Sequence, residues 1–125
     1  MTENETAKII VDCAFKIHNS LGPGLLESVY VAALAYELRE RGLKVVTEQP
    51  IPAVYETVKL ELGFRADLII ENKVIIEVKS IEALAPIHGK VLLTYLRLAN
   101  KKLGLLINFN VELIKYGIKR VVNNL

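Results

Sequence analysis

Arg65 to Lys79 reads RADLIIENKVIIEVK. Its even positions, Ala66, Leu68, Ile70, Val74, Ile76 and Val78, are apolar, and Asn72 interrupts them at the centre. Its odd positions carry Arg65, Asp67, Glu71, Lys73, Glu77 and Lys79, with Ile69 and Ile75 as apolar exceptions. Successive side chains of a strand point to opposite faces, so this alternation predicts a hairpin with one core face and one polar face. Directly opposed residues share a face, which fixes the register. A two-residue turn at Glu71-Asn72 would oppose Asp67 to Ile76 and carry charge onto the core face. A three-residue loop, Glu71-Asn72-Lys73, pairs Ile70 with Val74 and sets Asp67 opposite Glu77 and Arg65 opposite Lys79. Asn tolerates the left-handed backbone that such loops usually need.

That register sets like charges face to face, with Cβ atoms roughly 4.5–5.5 Å apart, where they destabilise a sheet. A divalent cation between Asp67 and Glu77 removes the first conflict, because hard cations take carboxylate oxygens. The alternative is a solvated polar face whose side chains splay apart.

Outward from the hairpin, residues 5–20 read as a helix with Ile10, Ala14, Ile17 and Leu21 on one stripe. Leu21-Gly22-Pro23-Gly24 stops it. A second helix runs from Leu25 to Arg41, with Gly42 as its stop. At about 100° per residue, Glu27 falls between Leu34 and Leu38 on the apolar side, beside Val31. A carboxylate there needs either a shared metal or the free N–H groups of its own helix start. Lys44–Glu48, Ile51–Tyr55 and Val58–Leu62 read as short strands, with Pro50 and Pro52 marking an edge. A third helix spans Pro86–Asn100, Leu103–Phe109 reads as a buried strand, and residues 118–122 as a last short one. The order predicts a single α/β domain over 1–125, with a central mixed β-sheet flanked by helices.

The chain is 52% hydrophobic, with a mean hydropathy of +0.34, so it can bury a core, and an exposed apolar patch would make a homo-oligomer such as a homodimer one alternative. No apolar run is long enough for a bilayer, and the polar, acidic start from Met1 to Ala7 lacks signal-peptide order, which leads to an expected cytoplasmic location and no membrane partner. Cys13 is the single cysteine, which excludes an internal disulfide and any multi-cysteine metal site. Residues 1–62 carry 6 Lys+Arg against 9 Asp+Glu, and residues 63–125 carry 10 against 5. The basic second half is compatible with a phosphate-backbone partner or with a solvated surface.

Asp67 followed by Glu77-Val78-Lys79 resembles the PD-(D/E)xK nuclease signature. Gly24-Leu25-Leu26-Glu27-Ser28-Val29-Tyr30 matches the motif of the GxxExxY protein family, a small branch of that superfamily, and Leu21-Gly22-Pro23-Gly24, Arg65-Ala66-Asp67 and Leu106-Ile107-Asn108-Phe109-Asn110 resemble it too. The resemblance implies a PD-(D/E)xK nuclease-like fold and a metal-dependent hydrolase of nucleic-acid phosphodiesters. It implies that Asp67 and Glu77 ligate Mg²⁺ or Mn²⁺ with the Val78 carbonyl, and that Glu27 completes the shell directly or through water. Lys79 would orient the attacking water. Arg65 would hold a phosphate or pair with the nearby carboxylates. Related nucleases often carry Gln-x-x-x-Tyr on the next helix. Here Tyr95 is present, but Val91 stands at the Gln position, flanked by Gly89 and Lys90. Valine cannot hydrogen-bond a water or a base, which favours a catalytically weak nucleic-acid- or protein-binding module as the alternative. Lys90 reads as a phosphate contact or a solvated lysine. His18 reads as a core histidine or a neighbour of the site, and His88 as a cap of the third helix or a cleft residue.

Overall fold

A computed structural model describes all residues 1–125. The elements are α1 (Glu3–Leu21), α2 (Glu27–Glu40), β1 (Val45–Tyr55), β2 (Val58–Ile70), β3 (Val74–Lys79), α3 (Pro86–Ala99), β4 (Leu103–Asn108), a 3₁₀ turn (Ile114–Tyr116) and β5 (Ile118–Val122). The strands form one sheet in the order β1-β2-β3-β4-β5. Only β3 and β4 run parallel, joined by the α3 crossover, so the sheet is mixed as the element order implies.

Helix ends follow local chemistry. Thr2 and Glu5 make reciprocal caps at the start of α1, and Gly22, at φ 71°, ends it. The β2–β3 loop spans residues 71–73, with Ile70 paired to Val74, and Glu71 and Asn72 both take left-handed backbone.

Two expectations are corrected. The short strands around Pro50 and Pro52 are one long strand, β1, paired to an equally continuous β2. β1 lies at the sheet edge, where a missing proline N–H costs no ladder bond. Between the pairs Ile51–Phe64 and Ala53–Leu60, three residues of β2 bulge opposite Pro52. Gly63 sits in that bulge, where a Cβ would come within 2.8 Å of the Ala53 backbone nitrogen.

The second correction concerns the polar face. Helices cover both sides of the inner sheet. Leu68, Ile70, Val74, Ile76 and Val78 pack in the large core with α1 and α2. Ile69 and Ile75 pack on the other side with Leu92 and Leu96 of α3. The hairpin's two apolar odd positions are therefore the seat of α3. The alternation also slips at Asp67, because Ala66 packs with the α3 cluster while Leu68 packs with the α1–α2 cluster. No helix is long and apolar enough to cross a membrane.

Candidate metal and catalytic site

The β2–β3 ladder pairs Ile70 with Val74, Ile69 with Ile75 and Leu68 with Ile76, and stops there. The next step holds Asp67 and Glu77. The Val78 N–H donates to Asp67 Oδ2 at 2.8 Å, and the Asp67 N–H lies 3.5 Å from Glu77 Oε1. The Asp67 carboxylate thus takes the Val78 N–H, which a continued ladder would have used. This anchors one oxygen of Asp67 and crowds two negative charges in a half-dry place.

Burial pushes Glu77 up to about 8, and the Asp67 charge adds to it. Asp67 is also raised by burial, against the pull of the Val78 N–H. The Tyr95 phenol is raised by burial and then by both carboxylates. Lys79 lowers both acids without cancelling these effects. The pair lacks positive charge, and that deficit fits a divalent cation. No cluster of three or more His, Cys, Asp or Glu side chains comes together around one point. Two carboxylates suffice for Mg²⁺, which commonly keeps its waters and takes one or two carboxylates plus substrate oxygens.

A cleft of about 100 Å³ opens beside the pair, lined by Glu77, Lys79, His88, Val91 and Tyr95. A larger hollow of about 580 Å³ between α2 and β1 contains none of these residues. Tyr95 stacks flat on Phe64, with centroids 3.7 Å apart. His88 caps α3, its Nδ1 accepting from the Ala85 N–H at 2.9 Å, while its ring borders the cleft. Val91 offers the cleft a methyl surface where a hydrogen-bonding side chain would fit.

Glu27 departs from its expected setting. α2 begins at Glu27, so the residue is exposed at an open helix end rather than set within the stripe of Tyr30, Leu34 and Leu38. Its Oε2 accepts from the Ser80 N–H at 3.2 Å, and Ser80 Oγ donates to the Leu25 carbonyl at 2.6 Å. Glu27 thereby holds the residue after Lys79. Tyr30 is fully buried, donates to the Gly22 carbonyl at 2.7 Å, accepts from the Leu25 N–H, and stacks on Phe109. The GxxExxY segment thus fastens the glycine loop to the end of β3.

Arg65 does not face Lys79. Because the ladder ends at Leu68–Ile76, Arg65 pairs with Pro50 of β1 and stands exposed. His18 is buried, its Nε2 lying 2.7 Å from the Val111 carbonyl, so it ties α1 to the segment after β4. Lys90 lies on the other side of α3 from the cleft.

Sequence reasoning assigned no role to Asn108 or Ser80. Asn108 is buried, pairs with Lys79 in the parallel ladder, and holds Ile81 through both its amide atoms, at 3.1 and 3.0 Å. The signal was a lone polar side chain inside the apolar run Leu103–Phe109.

Residues 4–121 match the family model for the PD-(D/E)XK nuclease superfamily. The chain belongs to that superfamily. The crystal structure of SSO0001 is similar to it, with 25% identity and a TM-score of 0.57, over 79% of this chain and 51% of that one. The chain therefore spans about half the length of that neighbour. No curated protein matches it. PD-(D/E)XK nucleases usually use divalent metal ions, and the Asp67–Glu77 pair is where this chain's charge deficit lies.

Proposed function

We propose that the chain is a Mg²⁺- or Mn²⁺-dependent nuclease of the GxxExxY type, hydrolysing nucleic-acid phosphodiester bonds. The observation that carries this reading is the interrupted ladder, which presents Asp67 and Glu77 together, partly desolvated, beside Lys79. Asp67, Glu77 and the Val78 carbonyl would hold the ion, and Glu27 would act on it at most through water or through Ser80. The bound ion supplies Lewis-acid polarisation of the phosphodiester and activation of water. Lys79 donates hydrogen bonds to the attacking water and offsets charge on the phosphoryl oxygens. Glu27 and Asn108 position Lys79 by fixing Ser80 and Ile81. Tyr95, stacked on Phe64, forms one wall of the cleft, with Val91 at its exposed rim.

Val91 favours a second reading, a nucleic-acid-binding module with weak turnover, because it withholds a hydrogen bond from the cleft. Thermal unfolding in EDTA and then in Mn²⁺ tests the site. At a hundredfold excess over its dissociation constant, Mn²⁺ should stabilise the wild type by roughly 2.7 kcal/mol, and Asp67→Ala should abolish the shift. An unchanged wild-type melting temperature would defeat the metal site. A shift without oligonucleotide cleavage would select the binding module.

A further inference from the structure

On the far side of α3 from the cleft, a groove of about 390 Å³ runs between the helix and edge strand β5. Gly89, Lys90, Leu93, Lys119 and Arg120 line it, and no acidic residue does. Gly89 explains its shape. A Cβ at Gly89 would stand 3.4 Å from Lys119 Nζ, so the glycine lets the lysine stem lie against the helix backbone.

That position is electrostatically unfavourable in the isolated chain. Gly89 is in the first turn of α3, near the positive end of the helix dipole. Helix starts favour acidic residues, but the first turn of α3 has none. It meets the Lys119 ammonium, with Lys90 one residue along. Neither lysine has a carboxylate partner, since the ion pairs in the fold are Lys16–Glu37 and Arg41–Asp12. Arg120, on the rim, is tethered to Asn4 of α1. Three positive features converge with no anion between them.

We infer that this groove is a phosphate-backbone subsite, in which Lys90 and Lys119 hold the nucleic-acid strand whose cleavage is proposed at Asp67 and Glu77. The inference rests on that reading for its ligand. The spacing suits it: the adjacent residues His88 and Val91 border the cleft, so only α3 separates the two sites. A helix is about 10 Å across with its side chains. At about 3.4 Å per nucleotide along one strand, the subsite lies about three nucleotides from the scissile bond. Phosphate contacts of this kind set register and orientation without reading sequence.

The test measures binding of fluorescent single- and double-stranded oligonucleotides across a salt series, in EDTA, with melting in Mn²⁺ run alongside. The Lys90→Ala/Lys119→Ala double variant should bind more weakly and lower the salt slope by about 2, with its Mn²⁺ shift intact. Gly89→Asp adds the missing anion, so it should weaken binding while raising the melting temperature. A merely structural role would move both in the same direction. Wild-type affinity and slope in the double variant would overturn the subsite while leaving the metal site standing. Absence of oligonucleotide binding by the wild type would also overturn it. Lysine-dependent binding without any Mn²⁺ shift would keep the subsite and remove the nuclease reading.

Discussion

β2 is two strands in one. Its inner half, Phe64–Ile70, pairs with β1 along its length and with β3 at Leu68–Ile70, and is covered by helices on both faces. Its outer half, Val58–Gly63, pairs only with β1 and projects as a two-stranded arm. Both halves carry leucines, Leu68 in the inner one and Leu60 and Leu62 in the outer. Leu68 is fully buried, whereas Leu60 is 48% and Leu62 62% exposed. Hydrophobic residues alone therefore do not make a core; cross-sheet neighbours do. The inner half gains a third strand, two helix layers and the carboxylate pair, while the outer half gains none of these. The change comes at Gly63 and Phe64, where the bulge ends and the Tyr95 stack begins.

The sharpest way to break this contrast is to truncate matched leucines. Leu68→Ala should cost about 2–5 kcal/mol in urea unfolding, and Leu60→Ala about 0.5 kcal/mol or less. Equal costs would mean that the arm is covered in solution. If the Leu60→Ala cost also vanished on dilution, the cover would be a second copy.

A second effect should come from pH. Below the ordinary carboxylate value of 4.5, folded and unfolded chains both hold the Glu77 proton. From there to about 8 the folded chain keeps a proton that the unfolded chain releases. Metal-free stability should therefore fall as pH rises through that window and level off above it. Glu77→Gln should flatten the decline. Substitutions in the arm should leave it unchanged, which separates the two halves by chemistry as well as packing. A decline of full size in Glu77→Gln would place the responsible group elsewhere.

The smallest effect lies at the boundary. Phe64→Leu keeps an apolar side chain but loses the stack on Tyr95, worth about 0.5–1.5 kcal/mol. Urea unfolding should show that loss with the Mn²⁺ shift retained. A lost shift would mean that the stack also aligns the acidic pair.

The hairpin register was legible because a single constraint, side-chain parity, fixed the loop at residues 71–73. The helices were legible from their stripes and from Gly22 and Gly42. Other features depended on context that parity does not carry. Ile69 and Ile75 were exceptions to a pattern until α3 covered them. The continuity of β1 through Pro50 depended on its place at the edge. Glu27 was misplaced because angle on a helical wheel says nothing about where the helix starts. Register makes Asp67 and Glu77 neighbours and the resemblance adds Lys79, and the structure brings all three together at the end of the ladder. Arg65 was not placed there, since its register extended a ladder that stops early. Asn108 was visible only as an oddity, because its partner Ile81 lies in an irregular segment.

The Tyr30–Phe109 stack has a consequence in time. The Phe109 N–H donates to the Lys79 carbonyl at 2.9 Å, and Tyr30 lies flat on the Phe109 ring. A chain still emerging from the ribosome has made α1, α2 and the acidic hairpin before Phe109 exists. Until then nothing caps Lys79 from that side, and the glycine loop held by Tyr30 has no ring beneath it. The pieces of the proposed centre are synthesised early, and the clamp that aligns them arrives late. Contacts of such long sequence separation close slowly. Maturation of the centre is thus tied to synthesis of β4 and Phe109.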